Sequence, residues 1–121
     1  MTKTAVITGV NGQDGSYLAE LLLNRGYGVV GLYRRSSSNN FDRLKNVMGH
    51  SRLILNEFDL TDPSDVTDTI IKYRPDEFYN LAAQSHVATS FKQPTTTFEI
   101  DSIGVINILE AIRKFSGTTR F

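Results

Sequence analysis

The chain has 121 residues, enough for one small domain or for the first part of a larger one. Its 40% hydrophobic and 21% charged residues exclude a disordered composition, and thirteen basic residues against thirteen acidic ones give no bias toward nucleic acid or acidic lipid. The absence of cysteine excludes disulfides, thiol catalysis and cysteine-ligated metal, and suits a cytoplasmic protein.

Met1 to Lys3 lead straight into an apolar run, without the charged and then long apolar segments of a signal peptide. No stretch approaches the ~18 apolar residues of a membrane span, so a soluble protein with no membrane partner is expected. Thr4–Thr8 is short, apolar and β-branched and reads as a buried strand. Gly9 to Gly15 reads as a glycine-punctuated turn. Ser16 to Arg25 sets Leu18, Leu21 and Leu22 on one helical face, and Gly26 supplies a stop. Gly28–Tyr33 is a second strand. Arg34 to Asn40 is a polar loop, followed by a short amphipathic piece with Phe41, Leu44 and Val47.

Leu53 to Phe58 resembles a third strand, and Thr61-Asp62-Pro63 opens a helix running to Tyr73, with proline where a missing N–H costs little. Glu77 to Leu81 is a fourth strand. Beyond Pro94, Ile103, Ile106, Leu109 and Ile112 recur at helical spacing. Thr118 to Phe121 reads as a fifth strand just opening, so the chain reads as cut, with a sheet lacking neighbours on one side. Strand alternating with helix predicts a doubly wound parallel α/β sheet, Rossmann-type, of which about the first four to five strands are present.

Gly9, Gly12 and Gly15 lie between the first strand and the first helix, at steps of three. Gly9 suits a tight exit from the strand, Gly12 removes a Cβ that would block a pyrophosphate, and Gly15 lets the helix pack close to the strand. The first amides of the helix, with roughly half a positive charge from its dipole, would then face phosphates. The alternative is a glycine turn with no ligand. A Walker A loop is excluded because no Gly-Lys-Ser/Thr follows.

A dinucleotide site selective for NAD places Asp or Glu at the end of the second strand, against the ribose 2′-hydroxyl. Here Arg34 and Arg35 follow Tyr33. Guanidinium groups pair with a 2′-phosphate, at roughly 1.5–3 kcal/mol for a charged hydrogen bond, which favours NADP. Ser36 to Ser38 could add hydroxyl donors; two solvated surface arginines are the alternative. Asp59-Leu60, ending the third strand, would meet adenine, with the carboxylate on its amino group and Leu60 on the ring; Asp59 reads equally as a helix cap. Leu81-Ala82-Ala83 offers either close passage for the cofactor or a structural small-residue loop. His86 reads as a structural hydrogen-bonder, and neither it nor His50 supports a metal site.

Taken in order, TGVNGQDGSYLAELL, RRSSS, DLTD, YNLAAQSHV and GVINILEAIR resemble the extended short-chain dehydrogenase/reductases that modify nucleotide sugars. Within these, GQDGSYLAELL, the double arginine before serines and NLAAQSHV resemble the GDP-mannose 4,6-dehydratase family across nearly the whole chain. The resemblance implies a cytoplasmic lyase that takes NADP as cofactor and GDP-D-mannose as substrate. It oxidises C4 of the sugar, eliminates water across C5 and C6, and yields GDP-4-dehydro-6-deoxy-D-mannose. The family's catalytic threonine or serine with glutamate, and its Tyr-x-x-x-Lys pair, match nothing here, so an inactive cofactor-binding portion is expected, with the rest of that domain and the substrate domain absent.

By the same resemblance, Gly9, Asn11, Gly12, Gln13, Asp14 and Gly15 surround the pyrophosphate, and Arg34, Arg35 and Ser36 meet the 2′-phosphate. Asp59 and Leu60 lie at adenine. Leu81, Ala82, Ala83 and Ser85 lie toward the ribose and nicotinamide, with Ser85 also approaching the sugar substrate. Thr96 stands where the family often has a tyrosine touching the cofactor. The Arg34–Asn40 loop matches a segment of subunit contact, and the family implies a homo-oligomer, dimer or tetramer. Another sugar-nucleotide epimerase or dehydratase, and a non-catalytic NADP-binding sensor module, are the alternatives.

Overall fold

The computed structural model describes residues 2–34, 40–82 and 102–121. Among the described residues four strands form one parallel sheet: β1 (Thr4–Thr8), β2 (Gly28–Tyr33), β3 (Leu53–Glu57) and β4 (Glu77–Asn80), in the order β3-β2-β1-β4. β1 is central, pairing Thr4 with Gly28 on one side and Ala5 with Glu77 on the other. It is apolar on both faces because both are covered. Ala5 and Ile7 face one core, with α1 (Gln13–Asn24) and the 3₁₀ turn at Asp42–Leu44. Val6 faces the other, with α2 (Pro63–Tyr73) and α3 (Gly104–Phe115). Helices on both faces of a parallel sheet make the expected Rossmann-type arrangement.

The helix boundaries follow local chemistry. α1 ends in a Schellman turn: Gly26 sits at φ 88°, its N–H donates to Leu23 O at 3.1 Å, and Tyr27 N–H donates to Leu22 O at 2.9 Å. α2 opens with Pro63 in its first turn, and the Asp62 carboxylate accepts from Ser64 N–H at 2.9 Å. Phe58 and Leu81 fall one residue beyond the strands predicted to include them. The fifth strand is present as a single parallel bridge, where Arg120 N–H donates to Asp76 O and Phe78 N–H to Arg120 O.

Two helical faces differ from the expectation. α1 begins at Gln13 rather than Ser16, so Gln13, Asp14 and Gly15 belong to its first turn and not to the preceding turn. Its buried stripe is Gly15, Ala19, Leu22 and Leu23, while Leu21 is 47% exposed. In α3 the buried stripe is Gly104, Ile108, Ala111 and Ile112; the predicted Ile106 and Leu109 are 58% and 46% exposed. Both helices are apolar on more than one side, so periodicity alone offers two stripes. The sheet takes the one carrying small residues, because these let the axes approach. A Cβ on Gly104 would lie 2.4 Å from Leu60 Cγ.

The same constraint acts at Gly15. A Cβ there would lie 2.2 Å from the Gly9 carbonyl oxygen, so this glycine packs helix against turn, rather than helix against strand as expected. Backbone cannot swing aside as a flexible side chain does. Gly15→Ala is therefore expected to destabilise the chain by about 1–3 kcal/mol in urea unfolding. Gly117→Ala, with nothing within 4 Å, serves as the control; equal unfolding midpoints for the two variants would contradict the packing argument.

Beneath the sheet, the Glu77 carboxylate accepts hydrogen bonds from the hydroxyls of Tyr27, at 2.7 Å, and Tyr79. These bonds, Tyr79's first, hold the Glu77 carboxyl below the usual carboxylate range. The Tyr79 phenol is pushed up from 10.0 to about 12, first by its bond to Glu77 and then by burial. A raised folded pKa means a contribution to stability fully present below the unfolded value of about 10 and lost as pH rises through about 12. Spectrophotometric titration at alkaline pH should show Tyr79 ionising late, with Tyr27 shifted in the same direction by its own bond to Glu77, and Glu77→Gln should return both toward their ordinary range. Identical titration curves for the two proteins would contradict this coupling.

Candidate dinucleotide site

The cleft lies at the carboxyl ends of the strands, where the chain leaves β1 between β2 and β4, and encloses about 270 Å³. This is the switch point of the strand order, since β1 connects onward to β2 on one side while β4 lies on the other. Its floor is the glycine turn. Gly9 takes φ 67°, which favours glycine, and a Cβ on it would come within 2.9 Å of Leu81 O. Gly12 N–H donates to Gly9 O at 3.0 Å, closing the turn, and Val10 N–H donates to Leu32 O at 3.3 Å.

Gly12 is the N-cap of α1 and supplies no side-chain acceptor to the helix. The amides of the first helical turn are thus left to an external acceptor, at the positive end of the dipole. Gly12 lines the cleft, where a side chain would occupy the space before those amides. This arrangement suits an anionic group held by backbone N–H.

At the other end, β2 and β3 deliver their C-termini together. Arg34 is exposed and lines the cleft together with Phe58, Asp59 and Leu60. Tyr33 stacks edge-on against Phe41, with centroids 5.0 Å apart, steadying the strand end before Arg34. Asp59 is not the helix cap; Asp62 is. The Asp59 carboxylate closes a local turn, its Oδ1 accepting from Thr61 N–H at 3.0 Å and Thr61 Oγ1 at 2.7 Å, while its own N–H donates to Asp65 Oδ2 at 3.0 Å. Asp59 is exposed and Leu60 buried, both on the cleft wall.

A buried polar side chain ties the glycine turn to β4. Thr8, 1% exposed, donates through Oγ1 to Asn80 Oδ1 at 2.7 Å and accepts there from Ala82 N–H at 3.0 Å. Leu81 and Ala82 therefore form the third wall.

Of the residues expected at the site, Gly9, Asn11, Gly12, Arg34, Asp59, Leu60, Leu81 and Ala82 come together around one cleft. Gln13 faces a separate surface groove with Tyr17 and Asp42, Asp14 is exposed on the first helical turn, and Gly15 is buried beneath Gly9; none of the three lines the cleft. Helix geometry turns the Gln13 and Asp14 side chains away and leaves only backbone amides near the turn. Arg35, Ser36, Ala83, Ser85, His86 and Thr96 lie outside the described residues. Sequence reasoning missed Thr8, Leu32, Tyr33, Phe58 and Thr61 on the wall, and Asn80 behind it. Thr8 alone carried a signal, a hydroxyl at the end of a buried strand.

His50 Nδ1 accepts from Arg52 N–H at 3.1 Å. Among the described residues no cluster of metal-ligating side chains occurs, and no helix is long and apolar enough to cross a membrane.

Comparison with known proteins places this geometry. Residues 6–121 match the family model for GDP-mannose 4,6 dehydratase. The GDP-mannose 4,6-dehydratase of Vibrio cholerae is 48% identical over 128 aligned residues, covering 100% of this chain and 34% of that protein. GDP-mannose 4,6 dehydratase 2 of Arabidopsis thaliana is 47% identical, covering 92% of this chain and 31% of that protein. The chain thus spans about a third of the length of the curated relatives it matches. Among solved structures, the Bordetella bronchiseptica enzyme WbmH in complex with NAD+ superposes with a TM-score of 0.77 at 30% identity, covering 94% of this chain and 36% of that one. With residues 6–121 of its 121 matching the family model, the chain belongs to the GDP-mannose 4,6-dehydratase family.

Proposed function

We propose that this chain is the cofactor-binding portion of an NADP-dependent lyase that converts GDP-D-mannose to GDP-4-dehydro-6-deoxy-D-mannose. The observation that carries the reading is one cleft with two ends. One end has a helix N-terminus without a capping side chain behind a turn with no Cβ at Gly9 and Gly12; the other has Arg34 at the end of β2. Family membership supplies the substrate, and the solved relative that holds NAD+ supports a nicotinamide dinucleotide.

The residues fit such a cofactor. The first amides of α1 would hold the pyrophosphate, with Gly12 leaving room for it. Leu60 would pack on adenine, while Asp59, oriented by Thr61, would accept from its amino group. Arg34 and Arg35, with Ser36, would neutralise the 2′-phosphate, where an acidic residue would repel it. Leu81 and Ala82, drawn in by Thr8, would bound the path toward the nicotinamide, with Ala83 and Ser85 following and Ser85 reaching the sugar. When bound, the nicotinamide supplies hydride exchange at the sugar. The catalytic acid–base groups belong to the part of the family's length that this chain does not span, so the chain alone is expected to be inactive. The reading includes a cytoplasmic homo-oligomer, consistent with a chain lacking cysteine.

The full-length protein is expected to bind NADP about 10- to 150-fold more tightly than NAD, the ratio corresponding to one charged hydrogen bond. The double variant Arg34→Ala with Arg35→Ala is expected to abolish most of that difference in titration calorimetry. Equal affinity for NADP and NAD in the unmodified protein would contradict the assignment of the 2′-phosphate.

A further inference from the structure

α3 is not among the elements that line the cleft, yet one of its side chains reaches the wall from behind. Asn107 Nδ2 donates to the backbone carbonyl of Leu60 at 3.1 Å, joining positions 47 residues apart. Leu60 is 6% exposed, and its side chain fills the space that a Cβ on Gly104, one helical turn before Asn107, would need. Within the turn at residues 59–61 Asp59 accepts from Thr61, and the Asp59 N–H donates to Asp65 on α2. Those bonds fix the form of the turn and tie its start to α2. Phe58 N–H donates to Tyr33 O at 3.0 Å and ties the strand end just before it. Leu60 itself is tied to α3 by Asn107.

We propose that Asn107 is a positioning residue for the adenosine end of the cleft. Its amide fixes the height of the Leu60 carbonyl above α3, and so the gap between Leu60 and Arg34 into which a flat base must fit. The inference rests on the reading of this cleft as a dinucleotide site. A hydrogen bond that merely docked α3 would leave ligand affinity tracking overall stability. A positioning bond instead affects one half of the ligand. The carbonyl of Leu60 accepts from Asn107, which is not among the residues lining the cleft, so Asn107 acts through the turn.

The test uses the full-length protein with two probes: 2′,5′-ADP for the adenosine half and nicotinamide mononucleotide for the other. Asn107→Leu keeps the volume and loses the donor, whereas Asn107→Gln keeps an amide donor on a longer stem. Asn107→Leu is expected to weaken 2′,5′-ADP by about three- to tenfold, the range of one neutral hydrogen bond. Nicotinamide mononucleotide affinity should stay at its unmodified value, and Asn107→Gln should regain most of the loss. Unchanged 2′,5′-ADP affinity in Asn107→Leu would overturn the proposal, as would equal losses for both probes together with a lowered unfolding temperature. Failure of the unmodified protein to bind 2′,5′-ADP at all would instead overturn the reading of the cleft, and the proposal with it.

Discussion

At the carboxyl end of β1 three stretches of backbone meet more closely than a methyl group permits. A Cβ on Gly9 would lie 2.9 Å from Leu81 O, and one on Gly15 would lie 2.2 Å from Gly9 O. The exit of β1, the first turn of α1 and the chain leaving β4 are therefore held against one another with no side chain between them. Thr8 fastens the contact by spending its buried hydroxyl on both Asn80 and Ala82. The cleft is what remains when these segments converge, and its floor is backbone because nothing larger fits. An anionic ligand there meets amides in place of side chains, a mode of recognition that needs the glycines at their spacing.

The second end of the cleft is built differently. Side chains line it, delivered by two strand termini and held in place from several directions. Tyr33 is steadied by Phe41, Asp59 by Thr61 and Asp65, and the Leu60 turn by Asn107. A rigid backbone end and an adjustable side-chain end match the two parts of a dinucleotide. Every member shares a pyrophosphate, and the members differ at the ribose. On the proposed reading, the group that would separate NADP from NAD sits where substitution is sterically cheap, at the exposed Arg34, and away from the crowded glycine turn.

Much of this was legible in the sequence, for physical reasons that differ by element. β1 and β2 are short apolar runs ended by glycine and by arginine, and in a sheet covered on both faces such runs have no other use. α2 announces both its ends, with Asp62 and Pro63 at one and Pro75 beyond the other. The glycine spacing was readable because each glycine answers a steric demand. The buried faces of α1 and α3 were not: leucines and isoleucines lie on more than one stripe of each, and small residues chose between them. Leu21, Ile106 and Leu109 lost to Ala19, Ile108 and Ala111 because close packing favours the narrow side. The bond from Asn107 to Leu60 was invisible in the sequence, since it joins an ordinary helical asparagine to a backbone atom 47 positions away. Asp59 was legible as a polar residue at the right strand end, but its rivalry with Asp62 for the helix cap was settled only by the geometry of Ser64 N–H.

On the proposed reading, the glycine turn and the end of β2 serve a single ligand. A crystal structure of the full-length protein grown with NADP tests that directly. The pyrophosphate should lie within hydrogen-bonding distance of the first amides of α1, with adenine against Leu60 and the 2′-phosphate on Arg34. A cofactor bound elsewhere, or one whose pyrophosphate avoids the turn at Gly9 and Gly12, would contradict the account.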